Sequence, residues 1–465
     1  MNTESQFAEV YPVMYRDFEQ FNRLPKCGCV KEQRGEIVPG YQNIWYEYIP
    51  SNYSKEKKYP LIVQLHGGGN DGRRWVDFTI WNQIAEKNGC IVIYPNSLSF
   101  ERWSCTDEEI QYLYDLILLM QERYAVDKER IFIQGMSNGE VMTLAFTMKH
   151  ADILAATGNI TGPSPAEMIE DDDIAPAPLP VLQMRGEKDV FYWLPDPLPK
   201  DISDIRYTMN DVNREVWERV NGRDDTPWLM IRGKDNFMQF NGANAPIIHW
   251  EIKDMGHREP PEGAQVLWDM LYSGCRRVDG KSVWENPVVP IKPDEDLFVM
   301  ALGSDKVYAG GEIKKIGSSG THQVRLIRTL AQLDSFHCAH IGEMFDTDDL
   351  YAPAEFLENA LGAKVDYVNP GDEADLTMKD GRKIHLWASS LLVETAGRYM
   401  GLKKPCILIC GQFFVPVVSF CEDILGLQVS ENANVVAVAG HSIQLGAYTA
   451  RIMRGLLGGY KYDGD

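Results

Sequence analysis

No stretch of this chain approaches the ~20 consecutive apolar residues an α-helix needs to cross a bilayer, so no membrane span is expected. Positive charge is also in short supply: 46 Lys and Arg stand against 67 Asp and Glu, a formal net charge of −21 at pH 7. A surface of that sign repels phosphate backbones and anionic headgroups, which argues against nucleic acid or an anionic membrane as partner. The acidity reads as ordinary solubility; attraction of basic substrates is the alternative. Met1 to Glu19 is polar and acidic with no apolar h-region, so no secretory signal is expected there, although a signal already removed would leave the same pattern. Cysteine is sparse and irregular, nine residues at 27, 29, 90, 105, 275, 338, 406, 410 and 421. The odd number, and placements inside apolar runs such as Gly89-Cys90-Ile91-Val92-Ile93, predict buried thiols and not a disulfide framework. Cys27-Gly28-Cys29 is a candidate redox pair or metal half-site. His337-Cys338-Ala339-His340 has metal-ligand spacing, but no second ligand cluster completes it. No metal and no cofactor is therefore expected.

What the chain does have is apolar material, 44% hydrophobic and 11% aromatic over 465 residues, enough for full cores in two or three domains. Gly135-Met136-Ser137-Asn138-Gly139 follows an apolar β-rich run, Arg130 to Gln134, and precedes a helix-like segment, Glu140 to Lys149. A G-x-S-x-G between strand and helix is the nucleophile elbow of α/β-hydrolases. The turn is too tight for a Cβ at either glycine, and it sets the Asn138 N–H at a helix N-terminus beside Ser137. Tyr59 to Leu65 reads as a buried parallel strand and ends in His66-Gly67-Gly68-Gly69-Asn70. An H-G-G-G at this place supplies the other half of an oxyanion hole, so Gly68, Gly69 and Asn138 are the expected oxyanion donors.

A serine needs a base, and in this fold the chain order is Ser, acid, His. His257 follows the last apparent strand in the loop Lys253-Asp254-Met255-Gly256-His257 and precedes a helix, which makes it the candidate base. His249, inside the strand itself, is the alternative, and His150 lies too close to the elbow. The acid should follow the strand Leu179 to Met184; Asp189 is the choice, with Glu187 the competitor and Asp196 and Asp201 more remote. Trp103 and Trp193 are candidates for lining the pocket, and Met136 and Glu140 flank the nucleophile as further candidates for substrate binding.

Residues 40–275 resemble the esterase family of polyhydroxybutyrate depolymerases and feruloyl/acetylxylan esterases. The resemblance is carried by Leu65 to Gly69, Ile93-Tyr94-Pro95, Arg123 to Asp127 with Arg130-Ile131-Phe132, the elbow, Arg185 to Asp189, and Gly256-His257. It implies a Ser137/Asp189/His257 triad and ester hydrolysis through an acyl-enzyme. Two departures bear on the substrate. Glu140 replaces a further glycine after the elbow, and Arg258-Glu259-Pro260-Pro261 replaces the Trp-Pro that usually follows the histidine.

The expected organisation is a polar extension over 1–35, a doubly wound, mostly parallel α/β sheet domain over 36–275 with an insertion at 191–244, a proline-bearing linker over 276–298, and a smaller α+β domain over 299–465. The last contains an internal repeat. Tyr351-Ala352-Pro353, Phe356 to Gly362 and Val365 recur as Val415-Pro416, Phe420 to Gly426 and Val429, with one more residue between Pro and Phe in the second copy. Each copy reads as a turn, an amphipathic helix stopped at Leu-Gly, and a strand. Residues 340–440 are similar to the stalk-like N-terminal domain of copper amine oxidases, which implies a non-catalytic unit without a copper site, suited to homo-oligomerisation, substrate capture or shaping of the cleft. The missing signal and free thiols point to the cytoplasm, and this domain's relatives point to the cell surface or secretion. The function expected is a serine esterase acting on feruloyl, acetyl or other small-acyl esters, free or polysaccharide-linked. The alternatives are a serine peptidase, with Glu140, Glu187 and Glu259 as candidate clamps for a substrate amine, and a non-catalytic binding protein.

Overall fold

The computed structural model describes residues 30–162, 177–189, 213–222, 226–260, 262–316, 326, 349–409 and 411–459. Trp193, Asp196, Asp201, Cys27, Cys29 and the run from His337 to His340 lie outside the described residues. The chain divides into two compact units, Met1–Asp224 with Phe237–Ile291, and Asp225–Asn236 with Lys292–Asp465.

The first unit is built on β1 (Val30–Gly35), β2 (Asn43–Tyr48), β3 (Tyr59–Leu65), β4 (Ile91–Pro95), β5 (Val126–Met136), β6 (Ala156–Ile160) and β7 (Val181–Gly186). After β8 (Trp228–Arg232), which falls in the second unit, come β9 (Asp235–Phe240) and β10 (Ile247–Ile252). The sheet order runs β1-β2-β4-β3-β5-β6-β7-β10-β9. β4-β3-β5-β6-β7-β10 pair in parallel, and β1 and β2 join antiparallel. Every residue of β3, β4, β6 and β7 is buried, the behaviour of parallel strands covered on both faces. β5 is longer than its apolar core because Val126 pairs with Tyr59 before the ladder resumes, past an irregularity, at Leu61 and Ile131.

The covering helices are α1 (Gly72–Phe78), α2 (Trp81–Asn88), α3 (Asp107–Arg123), α4 (Asn138–His150) and α5 (Gly263–Met270), with α2 packed on α5 and α3 on α4. Residues 213–221 are also helical. Thr106 caps α3 by accepting the Glu109 N–H at 3.4 Å. No helix of the described residues is long and apolar enough to cross a membrane. The stretch expected as a plain linker opens with structure of its own: β11 (Cys275–Val278) and β12 (Lys281–Trp284) form an antiparallel hairpin. Asp279 and Gly280 at its tip have φ of 49° and 72°, the left-handed pair a two-residue hairpin turn requires.

In the second unit β13 (Leu297–Ala301), β14 (Lys306–Ala309) and β15 (Glu312–Lys315) form a sheet with β24 (Gln428–Asn432) and β25 (Val435–Ala439), ordered β15-β14-β13-β25-β24. β16 (Tyr351–Pro353), β23 (Gln412–Pro416) and β22 (Ile407–Ile409) form a second. β17 (Lys364–Val368), β18 (Glu373–Thr377), β19 (Lys383–Trp387), β20 (Leu392–Thr395) and β21 (Arg398–Gly401) form an antiparallel third. The repeat is real in three dimensions. Its two first strands pair, Tyr351 with Pro416 and Ala352 with Val415. Its equivalent phenylalanines, Phe356 on α6 (Phe356–Leu361) and Phe420, sit fully buried in one core. Both helices end on a left-handed glycine, Gly362 at φ 63° and Gly426 at φ 69°. The second copy winds Phe420–Ile424 as a wider π turn, with Leu425 N–H bonded to Phe420 O, and its extra residue falls earlier, in the helical Val417–Ser419 segment between Pro416 and Phe420. Asp349 joins the copies, accepting from the N–H groups of Leu350, Val418 and Ser419 and from the Ser419 hydroxyl.

Candidate active site

Ser137 closes β5 and opens α4 with φ 61° and ψ −123°, a conformation costly for a residue with a Cβ and stored at a functional turn. The neighbouring glycines explain how the turn is possible. A Cβ on Gly135 would lie 2.2 Å from the Gly139 carbonyl oxygen, and one on Gly139 would lie 2.6 Å from that of His66. The elbow is thus wedged against the end of β3, and the Ser137 N–H is fixed to the Ile160 carbonyl at 2.8 Å.

The acid and base arrive on the loops after β7 and β10. Those loops are tied together: Glu187 N–H donates to Ile252 O at 3.0 Å, and Lys188 N–H to Met255 O at 2.8 Å. His257 Nδ1 lies 3.1 and 3.0 Å from the two Asp189 oxygens. Asp189 is buried and its histidine partly so. Glu187 is instead engaged with Lys253 at 3.0 Å and with the Asp254 N–H at 3.1 Å. His249 is buried in β10 against the edge of Phe240, and burial holds its pKa well below the ordinary value. Of the alternatives weighed for acid and base, the geometry pairs Asp189 with His257.

The oxyanion loop corrects one expectation. Gly69, at φ 72°, spends its N–H on the Glu101 carbonyl at 2.9 Å, so it has no donor to offer a substrate. The N–H groups that remain beside the elbow are those of Gly68 and Asn138, whose Cβ lies 3.5 Å from where a Gly68 Cβ would stand. The Asn138 side chain is occupied otherwise, accepting from Trp103 N–H at 2.7 Å and donating to Trp103 O at 3.0 Å.

Trp103, expected to line the pocket, is 2% exposed and braces this loop. Its indole N–H donates to His66 O at 2.9 Å and its ring lies 4.9 Å from the His66 ring. His66 accepts from the Ser97 N–H through Nε2 at 3.3 Å, which leaves Nδ1 to donate to Gly67 O at 2.9 Å. Burial lowers the His66 pKa to about 4, so this ring stays neutral. Beneath them Glu109, fully buried, gathers the N–H groups of Leu98, Ser104 and Cys105 and the Ser104 hydroxyl. Sequence reasoning missed Glu109; its signal was the Thr-x-x-Glu spacing from Thr106, which announces a helix start but not a buried carboxylate serving a loop. Met136 packs under the oxyanion loop, its sulfur 3.4 Å from the position of a Gly67 Cβ.

The three carboxylates considered for an amine clamp are not free to act as one. Glu140 is 3% exposed and takes the Gly162 N–H; burial, reinforced by the Asp189 charge, raises its pKa well above the ordinary value. Glu187 is paired as described. Glu259 has a buried carboxyl oxygen without a hydrogen-bond partner, and burial raises its pKa to about 8. Among the described residues no three His, Cys, Asp or Glu side chains are grouped to hold a metal ion.

Comparison with known proteins finds relatives for parts of the chain. Residues 343–438 match the copper amine oxidase N-terminal domain. A bifunctional acetylxylan esterase/xylanase of Neocallimastix patriciarum is 26% identical over 144 residues, 30% of this chain and 21% of that protein. A poly(3-hydroxybutyrate) depolymerase of Ralstonia pickettii is 26% identical over 152 residues, 28% of this chain and 31% of that one. A solved acetyl xylan esterase from Aspergillus awamori aligns with a TM-score of 0.41 at 16% identity, over 52% of this chain and 98% of that one. The chain spans between about a fifth and a half of the length of the first curated relatives it matches. Its first unit is similar to esterases of the acetylxylan, feruloyl and polyhydroxybutyrate type, and its C-terminal part to the copper amine oxidase N-terminal domain.

Proposed function

We propose that the first unit is a serine esterase, with Ser137 as nucleophile, His257 as base and Asp189 as the group that orients it. The observation that carries this is the Asp189 carboxylate on His257 Nδ1, with both loops at the C-terminal ends of the adjacent parallel strands β7 and β10, in the sheet whose β5 ends in the elbow. A carboxylate on Nδ1 fixes the proton there and leaves the Nε2 lone pair to take the Ser137 proton. The Ser137 oxygen then adds to the ester carbonyl, and the N–H groups of Gly68 and Asn138 receive the oxyanion. His257 returns the proton to the departing alcohol. Water, deprotonated by the same nitrogen, releases the acid and restores the serine. Acetyl or feruloyl esters of a plant polysaccharide are the substrates that the acetylxylan and feruloyl esterase relatives support. No specific observation favours the peptidase reading, since Glu140 is buried and Glu187 already paired.

Hydrolysis of a p-nitrophenyl acyl ester series and of methyl ferulate, by wild type and by Ser137→Ala, tests the proposal. Turnover should peak at short acyl chains and fall by about 10⁴-fold or more in the variant. A folded wild-type protein that turns over no ester, or a variant as active as wild type, would refute it.

A further inference from the structure

The outward face of the β17–β21 sheet carries side chains that neither the core nor the proposed catalysis uses. Alternation along these strands sends Ala374, Leu376, Ile384, Leu386 and Val393, each at most 1% exposed, into the core. Their neighbours therefore share the solvent side. The ladder sets Glu373 opposite Trp387, Asp375 opposite His385, His385 opposite Glu394, and Glu394 opposite Tyr399. His385 is held from both ends, Nδ1 at 2.6 Å from Asp375 and Nε2 at 3.4 Å from Glu373. Its ring meets Trp387 edge-on at 4.3 Å and 72°. Trp387 in turn lies 6.2 Å from Tyr399, their planes inclined by 36°. Tyr399 is 68% exposed, more than any other large hydrophobic side chain among the described residues. Beyond it Gly401 leaves open space on the same face, with no atom within 4 Å of where its Cβ would stand.

We infer that this face binds a neutral polysaccharide chain. The exposed Tyr399 ring and the half-buried Trp387 ring, the latter steadied by a fixed imidazole, offer apolar surface to the C–H faces of pyranose rings. Carboxylate oxygens beside the rings accept from sugar hydroxyls, the bonds a glycan offers along its edges. Four carboxylates, Asp366, Glu373, Asp375 and Glu394, against the ammonium groups of Lys364 and Lys383 leave the face net negative, which disfavours uronic acid, phosphate and sulfate polymers and leaves an uncharged glycan as the occupant of matching chemistry. The 36° inclination means the rings cannot both lie flat on one plane. The ligand is therefore a single twisted chain in solution, not a crystalline surface. The inference stands on the second unit and does not require that the first be an esterase.

Affinity electrophoresis of the full chain through gels containing soluble de-esterified arabinoxylan, mixed-linkage β-glucan or polygalacturonate tests it, with titration calorimetry for the constants. Wild type should be retarded by at least one of the two neutral glycans and not by polygalacturonate. Tyr399→Ser, at an exposed site, and Trp387→Ala should each weaken binding by about tenfold, the loss of one stacked ring. Turnover of p-nitrophenyl acetate, or its absence, should be unchanged in both. No retardation by either neutral glycan, retardation indifferent to both substitutions, or preference for polygalacturonate would overturn the inference. So would Tyr399→Ser turning a dimer into a monomer in sedimentation while glycan binding stays the same, for the face would then belong to a second copy of this chain.

Discussion

Replacing Glu259 with glutamine should leave the first unit slightly less stable in acid and increasingly more stable as the pH rises. The residue follows His257, the proposed base, with Oε1 3.4 Å from where a Cβ on Gly263, at the start of α5, would stand. Oε2 is buried without a hydrogen-bond partner. Burial raises the carboxyl pKa from 4.5 to about 8, so the folded protein holds it protonated where the unfolded chain ionises it. The sign follows from linkage. The stabilisation is fully present below pH about 4.5 and is lost as the pH rises through about 8. At roughly 1.4 kcal/mol for each pH unit between the two pKa values, the whole effect is about 5 kcal/mol, of which about 3 kcal/mol falls between pH 5 and pH 8. Glutamine brings amide hydrogens that find no acceptor, a cost of about 1 kcal/mol that is the same at every pH. The difference in unfolding free energy, variant minus wild type, should therefore climb by about 3 kcal/mol from pH 5 to pH 8. Urea unfolding at unit pH steps, following the transition that accompanies loss of ester turnover, measures it. A difference that stays level to within about 0.5 kcal/mol would refute the reasoning, because it would mean Glu259 titrates alike in both states.

Two other substitutions probe single contacts. Gly139→Ala would set a methyl group 2.6 Å from the His66 carbonyl and 2.8 Å from that of Leu65. It should destabilise the first unit by about 1–3 kcal/mol and reduce kcat far more than it changes KM, as thermal melts and ester kinetics would show. Asp349→Ala would strip a buried acceptor from three N–H groups and a hydroxyl. It should cost the second unit about 3 kcal/mol, visible as an earlier melting transition, while ester turnover at low temperature is unaltered.

The elbow, the H-G-G-G loop and the Asp189–His257 pair were legible because each is a short-range pattern. Glycine at 135 is demanded by the Gly139 carbonyl of the same elbow, glycine at 139 by the end of β3 against which the elbow is wedged, and a loop histidine after the last strand is placed by chain order. The repeat was legible for the same reason, since Phe356 and Phe420 recur at fixed distance from their glycines. Other features depend on partners far along the chain. Whether the Gly69 N–H points at a substrate or at Glu101 is decided by the conformation of the 97–105 loop, which no local pattern reports. Trp103 follows a strand end, where a pocket residue is expected, yet its indole is drawn inward by the His66 carbonyl. Glu140 and Glu259 look like surface carboxylates in sequence, and their burial comes from the packing of distant segments. The hairpin at Asp279-Gly280 carried a local signal, but the prolines that follow it gave the stretch the texture of a linker.

Glu109, the 97–105 loop, Trp103, His66 and the Gly68–Asn138 pair form a continuous chain of contacts from the interior of a helix to the reacting atoms. In the proposed esterase the 97–105 loop is therefore part of what holds the oxyanion donors in place. A loop transplanted there from a relative would arrive without the bonds that hold the glycines, and should slow ester turnover. Directed evolution toward new esters should accordingly leave residues 97–109 intact and recruit its changes from walls that carry no strut.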